Sequence, residues 1–179
     1  MKEKYIEIEE KLKIAIECHK KNDFEKAEKI LKEIIESDPD HINAIFFLGS
    51  LLLQKKEFNQ ARELFLKVIS LNPNNPDSYN NLGIAMKELG QKSKAVTCFQ
   101  KAIELNPKHK MAYNNLGIVF KELKKYSEAL NSYEKAIKID HNNAEAYNNL
   151  GALFVEYGNH EESKKYFQKA IQIQPKFLK

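Results

Sequence analysis

The stretch Ala112-Tyr113-Asn114-Asn115-Leu116-Gly117 returns 34 residues later as Ala146-Tyr147-Asn148-Asn149-Leu150-Gly151. Working outward from it, the same step links Gly49, Gly83, Gly117 and Gly151, each preceded by a leucine, Leu48, Leu82, Leu116 and Leu150. Phe65, Phe99, Tyr133 and Phe167 keep the interval, as do Ala61, Ala95, Ala129 and Ser163. Pro39, Pro73, Pro107 and Pro175 share one slot, with His141 standing in it once. Self-similarity at a fixed period of this length marks a stack of supersecondary units rather than one globular core.

The spacing inside one period says what the unit is. Tyr79, Leu82, Gly83 and Met86 recur at helical intervals, and so do Ala95, Phe99, Ala102 and Ile103. Between the two runs, Leu89-Gly90 reads as a helix C-terminus and Gly90-Gln91-Lys92 as the turn. Gly83 and Ala95 carry the smallest side chains on facing helices and let the backbones approach closely. Asn106-Pro107 ends the second helix, because proline donates no amide hydrogen and restricts the residue before it. Each unit therefore has two apolar faces, one for its own partner helix and one for the next unit, so stacking buries a continuous core.

These residues carry a resemblance to the tetratricopeptide repeat, a helix-turn-helix unit of 34 residues. Four regular repeats span 42–75, 76–109, 110–143 and 144–177. A fifth, divergent one spans 8–41, with Ile14-Ala15 where Leu-Gly stands elsewhere and with Ala27, Leu31, Ile34 and Pro39 in register. The resemblance implies an all-α fold, a right-handed α-solenoid of five such units forming a single array over 1–179.

Composition narrows the function. Twenty-nine basic and 25 acidic side chains are interspersed, leaving a net charge of +4 with no basic face gathered for nucleic acid. The doublets Lys20-Lys21, Lys55-Lys56, Lys124-Lys125 and Lys164-Lys165 fall near helix ends and read as solvated. No apolar run is long enough to cross a membrane. The charged N-terminal segment is unlike a secretory signal, so a cytoplasmic protein is expected. Cys18 and Cys98 suggest neither disulfide nor metal ligands, Cys18 reading as buried and Cys98 as outward-facing. Among His19, His41, His109, His141 and His160 no pair stands at i and i+4. No phosphate-cradling loop, nucleophile elbow or carboxylate pair appears. No cofactor, no metal and no catalysis are expected.

Such solenoids bind on the concave side, lined by the first helix of each pair. The resemblance implies that positions 2, 5, 6, 9, 12 and 13 of each repeat face that groove. There stand Asn80-Asn81, Asn114-Asn115 and Asn148-Asn149, with Lys87 and Lys121 at position 12. The pattern is similar to the superhelix of O-linked N-acetylglucosamine transferases, where position-6 asparagines grip a peptide backbone. By that likeness Asn81, Asn115 and Asn149 are three rungs; Phe47 and Lys13 end the ladder. A primary amide both donates and accepts, so it suits a peptide unit. Packed helices lie ~8–10 Å apart and an extended chain advances ~3.3 Å per residue, so one rung meets roughly every third peptide. The alternative role for these amides is a bond to the scaffold itself. The lysine-5, asparagine-9 pair of chaperone-binding carboxylate clamps is absent from every repeat, which points to an extended internal segment of a protein or peptide partner.

The two ends differ. The first unit is polar, with Lys4, Glu7, Glu10, Lys11 and Lys13, and reads as a cap. The last helix carries Phe167, Ala170, Ile171 and Ile173, with Phe177 beyond. This flank reads as a self-association surface for a homodimer, or as the site where a longer array continues. The second option makes the chain the substrate-recruiting module of a larger glycosyltransferase or methyltransferase.

Overall fold

Each period folds as a pair of α-helices. The computed structural model describes residues 2–175, with side chains from Ile6 onward. Ten helices are present among the described residues, and no strand. They are α1 (Lys2–Lys20), α2 (Phe24–Ser37), α3 (Ile42–Gln54), α4 (Phe58–Leu71), α5 (Pro76–Glu88), α6 (Lys92–Leu105), α7 (Lys110–Glu122), α8 (Tyr126–Ile139), α9 (Ala144–Glu156) and α10 (His160–Ile173). The chain divides into two compact units, Met1–Leu89 and Gly90–Lys179, at the turn after α5. In the first, α1 to α5 each pack on the next, and α1, α3 and α5 also touch in succession. In the second, α6 to α10 pack likewise, and α7 touches α9.

The turn inside each pair repeats as faithfully as the helices. Asn22, Lys56, Gly90, Lys124 and Gly158 all have positive φ, between 59° and 75°, and all are 34 apart. The residue after each of Lys56 and Lys124 donates its amide back to the third-last helical carbonyl, Glu57 to Leu52 and Lys125 to Phe120, both at 2.8 Å. This is the Schellman closure, which satisfies carbonyls left over at the helix end. Glycine is favoured there but not required, since three of the five positions carry a side chain.

The connection to the next pair is equally regular. Asp38, Asn72, Asn106 and Asp140 sit near φ −140°, extended, as the residue before proline must be. Asp140 keeps that geometry ahead of His141, so the helix caps hold the turn without proline. His41 and His109 accept the amide hydrogens of Ala44 and Ala112 at their Nδ1 atoms, 3.2 Å each, and so cap α3 and α7. Asn75 and Asn143 do the same for α5 and α9 with side-chain oxygens.

Close packing inside three of the pairs follows from glycine opposite an aromatic ring. A Cβ on Gly49 would lie 3.0 Å from the Phe65 ring; one on Gly117 would lie 2.5 Å from Tyr133, and one on Gly151 2.7 Å from Phe167. Phe65, Phe99 and Tyr133 are wholly buried. Each contributes roughly 1.5–3 kcal/mol of burial. In the second unit Ala129, Tyr133, Leu150 and Leu153 form a core joining consecutive pairs. Tyr79, Tyr113 and Tyr147, which share one register, are half-buried.

Two expectations are corrected. Cys98 is not outward-facing: it is partly buried, and burial pushes its thiol up to about 11. The exposed side of α1 is not uniformly polar, since Ile6 and Ile14 are 50% and 49% exposed. Lys4 lies among residues whose side chains are not described. Cys18 is buried, as its register requires.

Candidate functional site

The first helices carry the asparagine pairs, and in two of the three pairs the members differ in burial. Asn80 and Asn114 are 3% exposed. They were expected to line the groove with their neighbours; their burial places them in the packing between helices instead. Asn81, Asn115, Asn148 and Asn149 are half-buried.

Two of the position-6 amides, Asn81 and Asn149, are held by hydrogen bonds to the first helix of the preceding repeat. In the second unit, Asn149 Nδ2 on α9 donates to Asn114 Oδ1 on α7 at 2.9 Å. In the first, Asn81 Nδ2 on α5 donates to Ser50 Oγ on α3 at 3.3 Å, and Asn81 Oδ1 accepts from Asn80 Nδ2 at 3.2 Å. Ser50 Oγ itself donates to the Phe46 carbonyl, 3.0 Å. Asn115 is not without a partner either. The scaffold bond leaves capacity: a primary amide has two donor hydrogens and a carbonyl with two lone pairs. After its bond to Asn114, Asn149 keeps one N–H and its oxygen. The contact to Asn114 fixes which way the amide points.

Around these amides the first-helix faces carry mixed chemistry. Lys87, on the same helix as Asn81, pairs with Glu88 at 2.7 Å and is partly neutralised by it. Lys121 is half-buried, and Glu122, next to it, is held by Lys92 at 3.0 Å. Val155 on α9 is 47% exposed. Among the described residues no group of three or more His, Cys, Asp or Glu is placed to hold a metal ion. No helix there is long and apolar enough to cross a membrane.

The last helix offers less apolar surface than its sequence suggests. Phe167 is drawn against Gly151, Ala170 is 2% exposed, and Ile173 is half-buried. Ile171 alone of the described four is exposed, at 38%. Phe177 lies outside the described residues. Tyr166 stacks on Phe154, with ring centroids 5.3 Å apart and planes 13° from parallel.

Sequence reading missed a cavity of about 470 Å³ in the second unit, lined by Pro107, Lys108, Tyr113, Lys135, Lys138 and Ile139. Lys135 Nζ stands 5.6 Å from the centre of the Tyr113 ring. The signal was present in the registers: Lys108 stands where three other repeats carry Asp40, Asn74 and Asn142, and Lys138 where the others carry Glu36, Ser70, Glu104 and Gln172.

Comparisons with known proteins bear on the family. Models described as TPR repeat match residues 49–90 and 119–158, and models described as tetratricopeptide repeat match 12–41, 76–109, 98–131 and 144–177. No curated protein matches the chain in sequence. Among solved structures, MamA is similar at 29% identity and TM-score 0.76, over 91% of this chain and 95% of that one. YrrB, described as a TPR protein with an unusual peptide-binding site, is 25% identical with TM-score 0.68, over 94% and 87%. A thermophilic TPR protein of Thermus thermophilus, TTC0263, shares the fold at 19% identity, with TM-score 0.84 over 96% and 93%. With the periodic glycines, caps and turns described above, these matches establish that the chain belongs to the tetratricopeptide repeat family.

Proposed function

We infer that the chain is a non-catalytic protein-interaction scaffold of the cytoplasm, holding an extended peptide segment of a partner on the first-helix faces. The observation that carries this reading is the Asn149–Asn114 bond, which tethers a half-buried amide across α7 and α9 and leaves a donor and an acceptor unused. Asn115 and Asn149 are the rungs in the second unit, with Lys121 beside them; Asn81, with Lys87, plays the part in the first. The description of YrrB as having a peptide-binding site supports a peptide as ligand. The likeness to the asparagine ladder of O-linked N-acetylglucosamine transferases extends the reading: a module gripping peptide backbone also serves as the substrate-recruiting part of a larger transferase.

Each rung contributes ~0.5–1.5 kcal/mol net, so side chains nearby must supply selectivity. The test begins with peptides selected on the full chain from a random display library. Asn115→Ala with Asn149→Ala should weaken the selected peptide about tenfold, two bonds' worth, with unchanged far-ultraviolet circular dichroism. Equal affinity for variant and parent would reject the rungs.

A further inference from the structure

We propose that the cavity bounded by Lys108, Lys135, Lys138 and Tyr113 is a second binding site, for an acidic peptide segment that carries an apolar residue among its carboxylates. It goes beyond the groove reading and does not rest on it. Tyr113 and Asn115 are two residues apart on α7, so about 200° separates them around the helix. The ring looks toward α8, where Lys135 meets it, and away from the amide face.

The argument is a comparison of equivalent places. Lys67, Lys101, Lys135 and Lys169 occupy one register of the second helices. Lys67 is neutralised by the turn before its repeat: its ammonium lies 3.2 Å from Asp40 and also donates to the Pro39 carbonyl. Lys101 is neutralised within its own helix by Glu104 at 2.6 Å. At Lys135 both neutralising positions are inverted, Asp40 becoming Lys108 and Glu104 becoming Lys138. Around Lys169 the same two positions are Asn142 and Gln172, both neutral. Three positive charges therefore gather at this one register. None of the residues described as lining the cavity is acidic.

Among the described residues no nearby acid pairs with these lysines, Glu134 beside Lys135 included. Asp140 is held by Lys110 at 2.6 Å and Glu104 by Lys101. Glu128 lines a smaller adjoining cavity that also touches Tyr113 and Lys135. Among the described residues Lys108, Lys135 and Lys138 enter no ion pair, and all three are exposed. Tyr113, Ile139 and Pro107 give the cavity apolar walls, and about 470 Å³ holds one large side chain with its flanking backbone. Lysines on flexible stems around an apolar floor favour carboxylates spread along a peptide; a single phosphate is better met by a rigid guanidinium fork.

The probe is a fluorescein-labelled peptide, Asp-Glu-Leu-Phe-Glu-Asp, read by fluorescence anisotropy on the full chain at low salt. Its amide counterpart, Asn-Gln-Leu-Phe-Gln-Asn, serves as control. The acidic peptide should bind at least about tenfold more tightly than the amide one, and the difference should shrink at high salt. Lys108→Gln with Lys135→Gln and Lys138→Gln should remove that advantage. Lys29→Gln with Lys94→Gln and Lys164→Gln, the same charge change elsewhere, should keep it. Lys108→Asp alone, which recreates the Lys67–Asp40 arrangement, should weaken the peptide at least about threefold. Circular dichroism melts certify that each variant is folded. Equal loss in both triple variants would overturn the site, and so would full binding by the cavity variant. A single-stranded oligonucleotide of equal charge that displaced the peptide at lower concentration would overturn its assignment to a peptide. Asn115→Ala with Asn149→Ala should leave this affinity within about twofold. A loss as large as that of the cavity variant would place the peptide in the groove instead.

Discussion

The turns leading into α3 and α7 have nearly the same backbone and opposite electrostatics. Asp38 and Asn106 end the preceding helices at φ −141° and −137°, a proline follows each, and His41 and His109 cap the next helices in the same way. Between proline and histidine stands Asp40 in one and Lys108 in the other. In the first unit that residue closes on Lys67; in the second it leaves Lys135 open. The comparison separates two kinds of position. Those that cap a helix or terminate it are fixed by the backbone, whereas the side chain between them caps and terminates no helix and is free to set the chemistry of a surface.

A second contrast lies inside the pairs: Phe65 covers Gly49 in the first unit, Tyr133 covers Gly117 in the second, and the tyrosine sits closer. Gly117→Ala should break it most strongly. Its new methyl meets ring atoms of a wholly buried side chain at 2.5 Å, and such overpacking costs ~1–3 kcal/mol, beyond the gain of up to about 1 kcal/mol from alanine's helix propensity. At Gly49 the contact is 3.0 Å, so the two terms nearly cancel. Unfolding free energies of the two variants from urea titration should therefore differ by ~1–2 kcal/mol, with Gly117→Ala the less stable.

Next in size is the hydroxyl itself. Tyr133 is wholly buried and its oxygen has no hydrogen-bond partner. Tyr133→Phe, which copies the first unit, should stabilise the protein by about 1–2 kcal/mol in the same assay. Burial, aided by Glu122 and Glu145, raises the tyrosine's pKa far above its ordinary value. The unfolded chain ionises first, near pH ~10, so the parent loses stability as pH rises past that point and Tyr133→Phe escapes that part of the loss. Parallel alkaline limbs would contradict this.

The smallest effect concerns ion pairs. Hydrogen bonds from Lys32 and Lys55 lower the pKa of Glu28, tying α2 to the end of α3; Lys110, then the Asn142 amide, lowers that of Asp140, tying the end of α8 to the start of α7. Both contributions are present above the ordinary carboxylate range and are lost as pH falls through it to the lower folded values. Glu28→Gln and Asp140→Asn should each flatten the acid limb of a melting-temperature profile, by less than about 3 °C for such exposed pairs. A larger fall for Asp140→Asn would mean that the cap, rather than the charge, holds the turn.

Much of this was legible in the chain. The repeat boundaries, the glycine-aromatic pairs and the helix ends follow from spacing, because each has a local cause in helix periodicity, proline or a small side chain. Other features depended on neighbours roughly one repeat away. Asn80 and Asn81 are identical in type and adjacent, yet one is buried and the other half-buried. Cys98 reads as outward on its own helix and is partly covered once its surroundings are built. Lys135 reads as one more solvated lysine until Tyr113, Lys108 and Lys138 are brought around it.

By itself the sequence determined the unit, its length and its turns, since these are satisfied by hydrogen bonds and packing within about 34 residues. Only the tertiary structure decided that Asn80 and Asn114 are buried while their neighbours stay reachable, and where charge accumulates. Both depend on side chains from separate helices meeting across a gap, and the order of residues along one helix carries no record of what stands opposite.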